Sequence, residues 1–331
     1  MKRFARSTEM TLLVIGVVFF AGLVIASGGD LLAANSLRVL LQFLAVPILI
    51  GLAQMVVLAV GQLNLAVGAI GGFAAAAMGV LMADHGVPVP LALLIGFLLA
   101  GLVGLLNGVL VVLTRINGFI VTLATMTILL GVQYRLVGTR TVDEYPQGLK
   151  SFGSAALFGV VPWIFVVALI VAGLLAVLLK RTVPGRQLLA SGGNPIAARL
   201  SGISNDRSVI VAHAVSGAIL GIAAILTVAS SPGVNKSIGG DWLLPSFAAP
   251  IIGGALLTGG SAVVLGTVLA AFIVRFVDTA RAEFSLEPSW VNFVVGAVVL
   301  GSVVLGQVRT RRQERRSVVK APDAAVAGGV S

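Results

Sequence analysis

The side chains of this chain that could bind and release a solute are neutral. Gln54, Gln62 and Asn64 interrupt an apolar stretch, with Gly61, Gly68, Gly71 and Gly72 beside them. A second scatter holds Asn107, Thr122 and Thr125, with Asn117, Thr127 and Gln133 nearby. Thr122 and Thr125 are three apart, so a helix puts them on one face. Amides and hydroxyls of this kind suit an uncharged polar solute. They equally suit the hydrogen bonds that hold apolar helices together. An ion path would more often bring buried carboxylates or charge pairs, and no Asp or Glu falls in the middle of the apolar runs. His213 reads as a satisfied polar residue near the start of a later run.

A different chemistry sits at Lys180–Arg207, KRTVPGRQLLASGGNPIAARLSGISNDR, a basic polar insert between apolar runs. Gly192, Gly193 and Asn194 read as a turn, with Asn194 a fair N-cap and Pro195 at the first helical position. The following short helix, 196–200, puts Ile196 and Leu200 on one face and ends near Gly202. Arg186 and Arg199 flank it. Such a helix fits a groove on a soluble protein; lying flat on lipid is the alternative.

Two further polar connections, 138–161 and 230–244, carry Asp143, Glu144, Asp241 and Trp242. They read as surfaces for a soluble partner or as plain solvated loops. The chain has no cysteine, no phosphate-binding G-x-x-x-x-G-K-[ST] loop, no G-x-S-x-G turn and no metal-ligand spacing. Any ATP and Mg used would therefore be bound by another chain, and no cofactor or metal is expected in this one.

The elements that must position these residues are membrane helices. Of 331 residues, 58% are hydrophobic and only 10% charged, against about 25% charged in soluble domains. Apolar runs of about 20 residues recur, so the fold class is all-α polytopic membrane protein; strand-like alternation of a barrel is missing. Ten crossing or embedded segments are read, at roughly 11–27, 39–60, 65–82, 90–112, 119–137, 162–179, 209–229, 245–257, 261–277 and 290–305. The eighth is short and proline-flanked, hence bent or only partly crossing. Lys2, Arg3 and Arg6 precede an uncleaved first helix.

The net charge of +10 is a topology signal. With both termini cytoplasmic and ten crossings, most basic residues fall inside, as the positive-inside rule asks. The expected organisation is a single membrane domain over 1–308, its cytoplasmic loop at 180–208, and a basic tail at 309–331 that meets anionic lipid. No folded basic face suggests nucleic acid.

From Gly185 to Ile203 the chain resembles the permease subunit of bacterial ribose-type ABC importers, which carry sugars and related small polar solutes. The family pattern G-R-x-x-x-A-x-G-G-N-x-x-A-A-R-L-S-G-I is matched closely there. Ala249–Gly260 (APIIGGALLTGG), Val264–Thr267, Asn107–Val111 and Gly118–Met126 extend the likeness over roughly 39–305. The resemblance implies an ABC importer permease fold working by alternating access, with 192–202 receiving force from an ATPase. It also implies partners: a second permease (identical, or related in a mixed pair), two cytoplasmic ATP-binding subunits and a periplasmic solute-binding protein. A monosaccharide or polyol is the implied cargo, in the bacterial inner membrane. The chain departs from the family at Asn64 and Ala66, where a carboxylate and a serine are usual, at Ile196, often Glu, and at Asp241–Leu244 (DWLL), which lacks the usual glutamate. Those lost carboxylates point to an unusual substrate or to the less conventional member of a mixed pair. On the residues alone, the alternative is an ion-coupled secondary transporter without an ATPase partner.

Overall fold

Glycine and alanine set the helix spacing. On α4 (Val89–Thr114), Gly96, Ala100, Gly104 and Gly108 recur every four residues and form one smooth stripe. Ala100, Gly104 and Gly108 of that stripe pack against Gly217, His213 and Ile210 on α10 (Asn205–Ser230). A Cβ added at Gly104 would stand 2.8 Å from the Gly217 Cα, so the two backbones touch as small-residue membrane helices do.

The computed structural model describes residues 2–284 and, beyond them, Glu287, Phe293, Gly296, Ala297 and Leu300. In chain order the helices are α1 (Lys2–Ala26), α2 (Ala34–Ala59), α3 (Val67–Ala83), α4, α5 (Gly118–Val137), α6 (Gln147–Ser154), α7 (Trp163–Arg181), α8 (Val183–Gly193), α9 (Pro195–Leu200), α10, α11 (Leu243–Ile252) and α12 (Val264–Glu283). Six of them (α1, α2, α4, α5, α7 and α10) are long and apolar enough to cross a membrane; α3 and α11 are shorter apolar helices. The tenth expected segment, 290–305, and the tail, 309–331, lie outside the described residues apart from isolated positions.

Helix α2 is the axis. From Ile48 to Ala59 it is buried on every face, against α7, α10, α11 and α12. Its sequence there is apolar all round apart from Gln54, as a fully enclosed helix must be. Pro47 is accommodated within it. Helix α3 lies against α4, α5 and α10, and α1 packs on α12 through Phe19, Phe20 and Phe276. Outward-facing positions on α4 and α7, such as Leu98, Leu102, Ile170 and Leu174, remain exposed, the apolar coat a bilayer requires.

Four expectations are corrected. The 138–161 connection is not a plain loop: it folds into α6 and a hairpin, β1 (Ala156–Leu157) antiparallel to β2 (Val161–Pro162). Gly192 and Gly193 are not a turn but the last residues of α8. The eighth segment begins earlier, as α11, and is preceded by a non-helical stretch along α3. His213 is not satisfied: it is fully buried at the α4–α10 contact, and neither ring nitrogen has a partner.

Candidate functional site: the coupling end and the polar break

At one end of the bundle the chain leaves α7 and makes two short helices before re-entering as α10. The Thr182 hydroxyl caps α8 by accepting the Gly185 N–H (3.2 Å). Asn194 ends α8 and starts α9, its Oδ1 accepting the Ala197 N–H (3.0 Å). Pro195 takes the first helical position, where its missing N–H is not needed. Gly202, at φ 77°, closes α9 in the left-handed region that glycine favours. The expected Asn194 cap, Pro195 start and Gly202 stop are all present.

One residue that sequence reasoning passed over holds this unit to the bundle. Asn205, at the start of α10, donates from Nδ2 to the Pro195 carbonyl (2.9 Å) and accepts the Ser191 hydroxyl at Oδ1 (2.8 Å). The available signal was the polar run Ser204–Arg207 at a helix start, with the Ser204 hydroxyl accepting the Arg207 N–H. Beside it, Arg115 makes a two-pronged ion pair with Asp206 (2.7 and 2.9 Å).

The outer face of α9 is bare. Ile196 is 75% exposed and Leu200 85%, while Ala198 is buried on the opposite side. Arg199 and Arg186 are exposed, Arg186 donating to the Arg181 carbonyl. The inner face of α8 makes the tightest contact at this end. A Cβ at Gly192 would overlap the Ala59 carbonyl oxygen at the end of α2 and stand 2.7 Å from the Gly260 nitrogen. That nitrogen donates to the same Ala59 carbonyl (2.9 Å). Gly259 and Gly260, at φ 91° and 77°, belong to the α11–α12 connection. Here α8 meets α2 and the α11–α12 connection backbone to backbone, with no side chain between.

The residues between α2 and α3 form a non-helical break, 60–66, in which Asn64 and Ala66 are buried. Turned so that its nitrogen faces the Asn64 carbonyl, the orientation that satisfies both groups, the Gln54 amide donates to that oxygen (2.9 Å) and accepts the Asn64 N–H (3.3 Å). Asn64 Oδ1 accepts the Ala66 N–H (2.9 Å), and its Nδ2 lies 3.5 Å from the Ser216 hydroxyl of α10. Gln62 Oε1 accepts the Gly118 N–H (3.3 Å), and the Thr122 hydroxyl accepts the Leu65 N–H (3.0 Å). Thr125 donates to Asn107 Oδ1 (2.6 Å), leaving Asn107 Nδ2 unpartnered. Gln54, Gln62, Asn64 and Thr122 thus hold the break by hydrogen bonds, while Asn107 and Thr125, one turn from Thr122, pair with each other. Unwound backbone inside a membrane protein needs such partners. The departure Asn64 fits this: an amide both donates and accepts, whereas a carboxylate would present two acceptors to these neighbours.

At the opposite end, Val142 and Val234 pair as an antiparallel bridge, joining the 138–161 and 230–244 connections, and Arg140 pairs with Asp84. Asp143, Glu144 and Asp241 are exposed. Trp242, expected beside Asp241 on the surface, is only 7% exposed. Its ring lies on the glycine face of α3, where a Gly71 Cβ would overlap it. Tyr145, whose hydroxyl lies by Gly79 towards the far end of α3, is also buried, and burial raises its phenol pKa above the ordinary value.

Comparison with known proteins agrees with this arrangement. The family model described as "Branched-chain amino acid transport system / permease component" matches residues 35–303. The chain is 30% identical over 318 residues to the autoinducer 2 import system permease protein LsrC of Enterobacter sp. (strain 638), covering 95% of this chain and 92% of that one. It is 31% identical over 312 residues to the LsrC of Klebsiella pneumoniae, covering 91% and 89%. No solved structure matches significantly. The chain therefore belongs to the branched-chain amino acid transport system / permease component family: it is a multi-pass inner-membrane permease subunit of the ribose-type ABC importers, a transport protein whose ATPase is a separate subunit.

Proposed function

We propose that this permease carries a small neutral polar solute, a monosaccharide or polyol, into the cytoplasm by alternating access. The relatives named for autoinducer 2 import add that compound to the candidate cargoes. In this reading two permease subunits enclose the path, identical or a related pair. Two ATPase subunits, which hold ATP and Mg, dock on α9 from the cytoplasm, and a periplasmic binding protein delivers solute at the opposite end. Both termini are then cytoplasmic.

One observation carries the proposal: α9 presents Ile196 and Leu200 to solvent while its own scaffold is braced on the bundle by backbone contact. An exposed apolar pair on a rigid mount is a docking feature. An ion-driven transporter has no use for it.

The test is co-purification of the permease with its ATPase from membranes. Wild-type chain brings the ATPase down, and Arg199→Glu, at an exposed position, loses it while the permease still inserts and stays monodisperse. Retention of the ATPase by that variant, or solute uptake by vesicles lacking any ATPase, would overturn the reading.

A further inference from the structure

After α10 the chain does not cross to α11 over the surface; it descends along α3. Val234 pairs with Val142 beside the far end of α3. The Ile238 carbonyl then presses on Gly72 and the Gly239 backbone on Gly68, at the start of α3. Gln133 of α5, fully buried, fixes the descending strand by donating to the carbonyls of Lys236 (3.2 Å) and Ile238 (3.1 Å). One side of the strand is thus pinned by glycine contacts and by an amide.

Its other side is open. A cavity of about 850 Å³ lies between this strand and the outer end of α10, lined by Thr227, Ser231, Asn235, Ser237, Asp241 and the apolar pair Leu243 and Leu244, among others. Clefts of about 300–1,000 Å³ are the usual size for small-molecule sites. Two other sizeable cavities among the described residues, one beside α4 and one beside α1, are lined by apolar side chains, alanine and glycine, as lipid-facing grooves are. The polar one has hydroxyls, an amide and one exposed carboxylate, and no Lys or Arg in its lining. Lys236, next in sequence, instead sets its ammonium 5.5 Å from the centre of the Tyr134 ring on α5.

We infer that this cavity is the outer half of the solute path and that it takes a neutral vicinal diol, whose two hydroxyls donate to the Asp241 carboxylate. The inference rests on the importer reading above. A carboxylate accepts two parallel hydrogen bonds well, and the same charge repels phosphorylated or carboxylated solutes. The Ser and Thr hydroxyls bond the remaining solute oxygens singly, which keeps binding weak enough for release. None of the six candidate lining residues borders this cavity, so the path and the break are separate devices.

The chain lacks cysteine, so one reporter thiol can be placed without background. Ser237→Cys, at an exposed position in the cavity lining, is made in the complete importer in right-side-out vesicles. It is titrated with two impermeant methanethiosulfonates, one cationic and one anionic. Both react from outside, at rates differing at least tenfold between the nucleotide-free and the ATP–vanadate-trapped importer. The cation-to-anion rate ratio falls roughly tenfold in the added Asp241→Asn background, the effect of one nearby charge in water acting oppositely on the two reagents. Leu244→Cys, also exposed in the lining, serves if Ser237→Cys does not fold.

Rates equal in both states would make the cavity a static crevice, and an unchanged charge ratio would remove Asp241 from it. Protection is read with ribose, xylitol and glycerol against their phosphates. At least one neutral member slows labelling and no phosphate does; protection by none, or by a phosphate, overturns the diol assignment. If the ATPase binds and turns over but labelling ignores its state, this inference alone falls. If no ATPase binds, the importer reading falls with it.

Discussion

Gly192→Ala adds one methyl group at the point where α8 meets the bundle. The new carbon would overlap the Ala59 carbonyl oxygen and crowd the Gly260 nitrogen at 2.7 Å. Both obstacles are backbone, so no rotamer change relieves them. Inserting a methyl into such a contact costs about 1–3 kcal/mol, and losing the Gly260-to-Ala59 hydrogen bond adds about 1 kcal/mol. The helix preference of alanine over glycine returns at most about 1 kcal/mol. The net is about 2 kcal/mol against the seated position of α8, roughly a thirtyfold shift in its population. Gly193→Ala is the control: its added carbon meets nothing closer than 3.6 Å and stays near neutral. In the assembled importer, Gly192→Ala keeps ATP turnover but loses most solute uptake per ATP, whereas Gly193→Ala keeps both. Equal, wild-type coupling in the two variants would refute the claim that force passes through this backbone contact.

Other outcomes follow from the same geometry. Leu200→Asp, at a position 85% exposed, leaves detergent stability of the permease unchanged and weakens ATPase binding at least tenfold in a titration, since truncating a central docking residue costs about 2 kcal/mol or more. Gly71→Ala forces the Trp242 ring off α3; it lowers thermal stability by the equivalent of about 2 kcal/mol and increases the exposure of Trp242 to aqueous fluorescence quenchers, while Gly173→Ala, with open space around it, does neither.

The sequence by itself determined whatever depends on neighbours a few residues away. Apolar runs marked the membrane helices, because a bilayer demands about 20 apolar residues in a row. Asn194, Pro195 and Gly202 marked the bounds of α9, because capping is local chemistry. The four-residue Gly/Ala stripe of α4 was present in the chain too, although only the partner helix gives it meaning.

Tertiary structure decided the rest. Gly192 and Gly193 look alike in sequence, yet only one faces the Ala59 carbonyl, a residue far away along the chain. Trp242 and Asp241 are adjacent, yet one is buried, wedged on α3, and the other is exposed. Gln54, Asn64 and Thr122 have the chemistry to line a path, but their hydrogen bonds go to the α2–α3 break. Whether an amide faces a solute or a backbone carbonyl depends on which helices pack around it, and no local pattern encodes that choice.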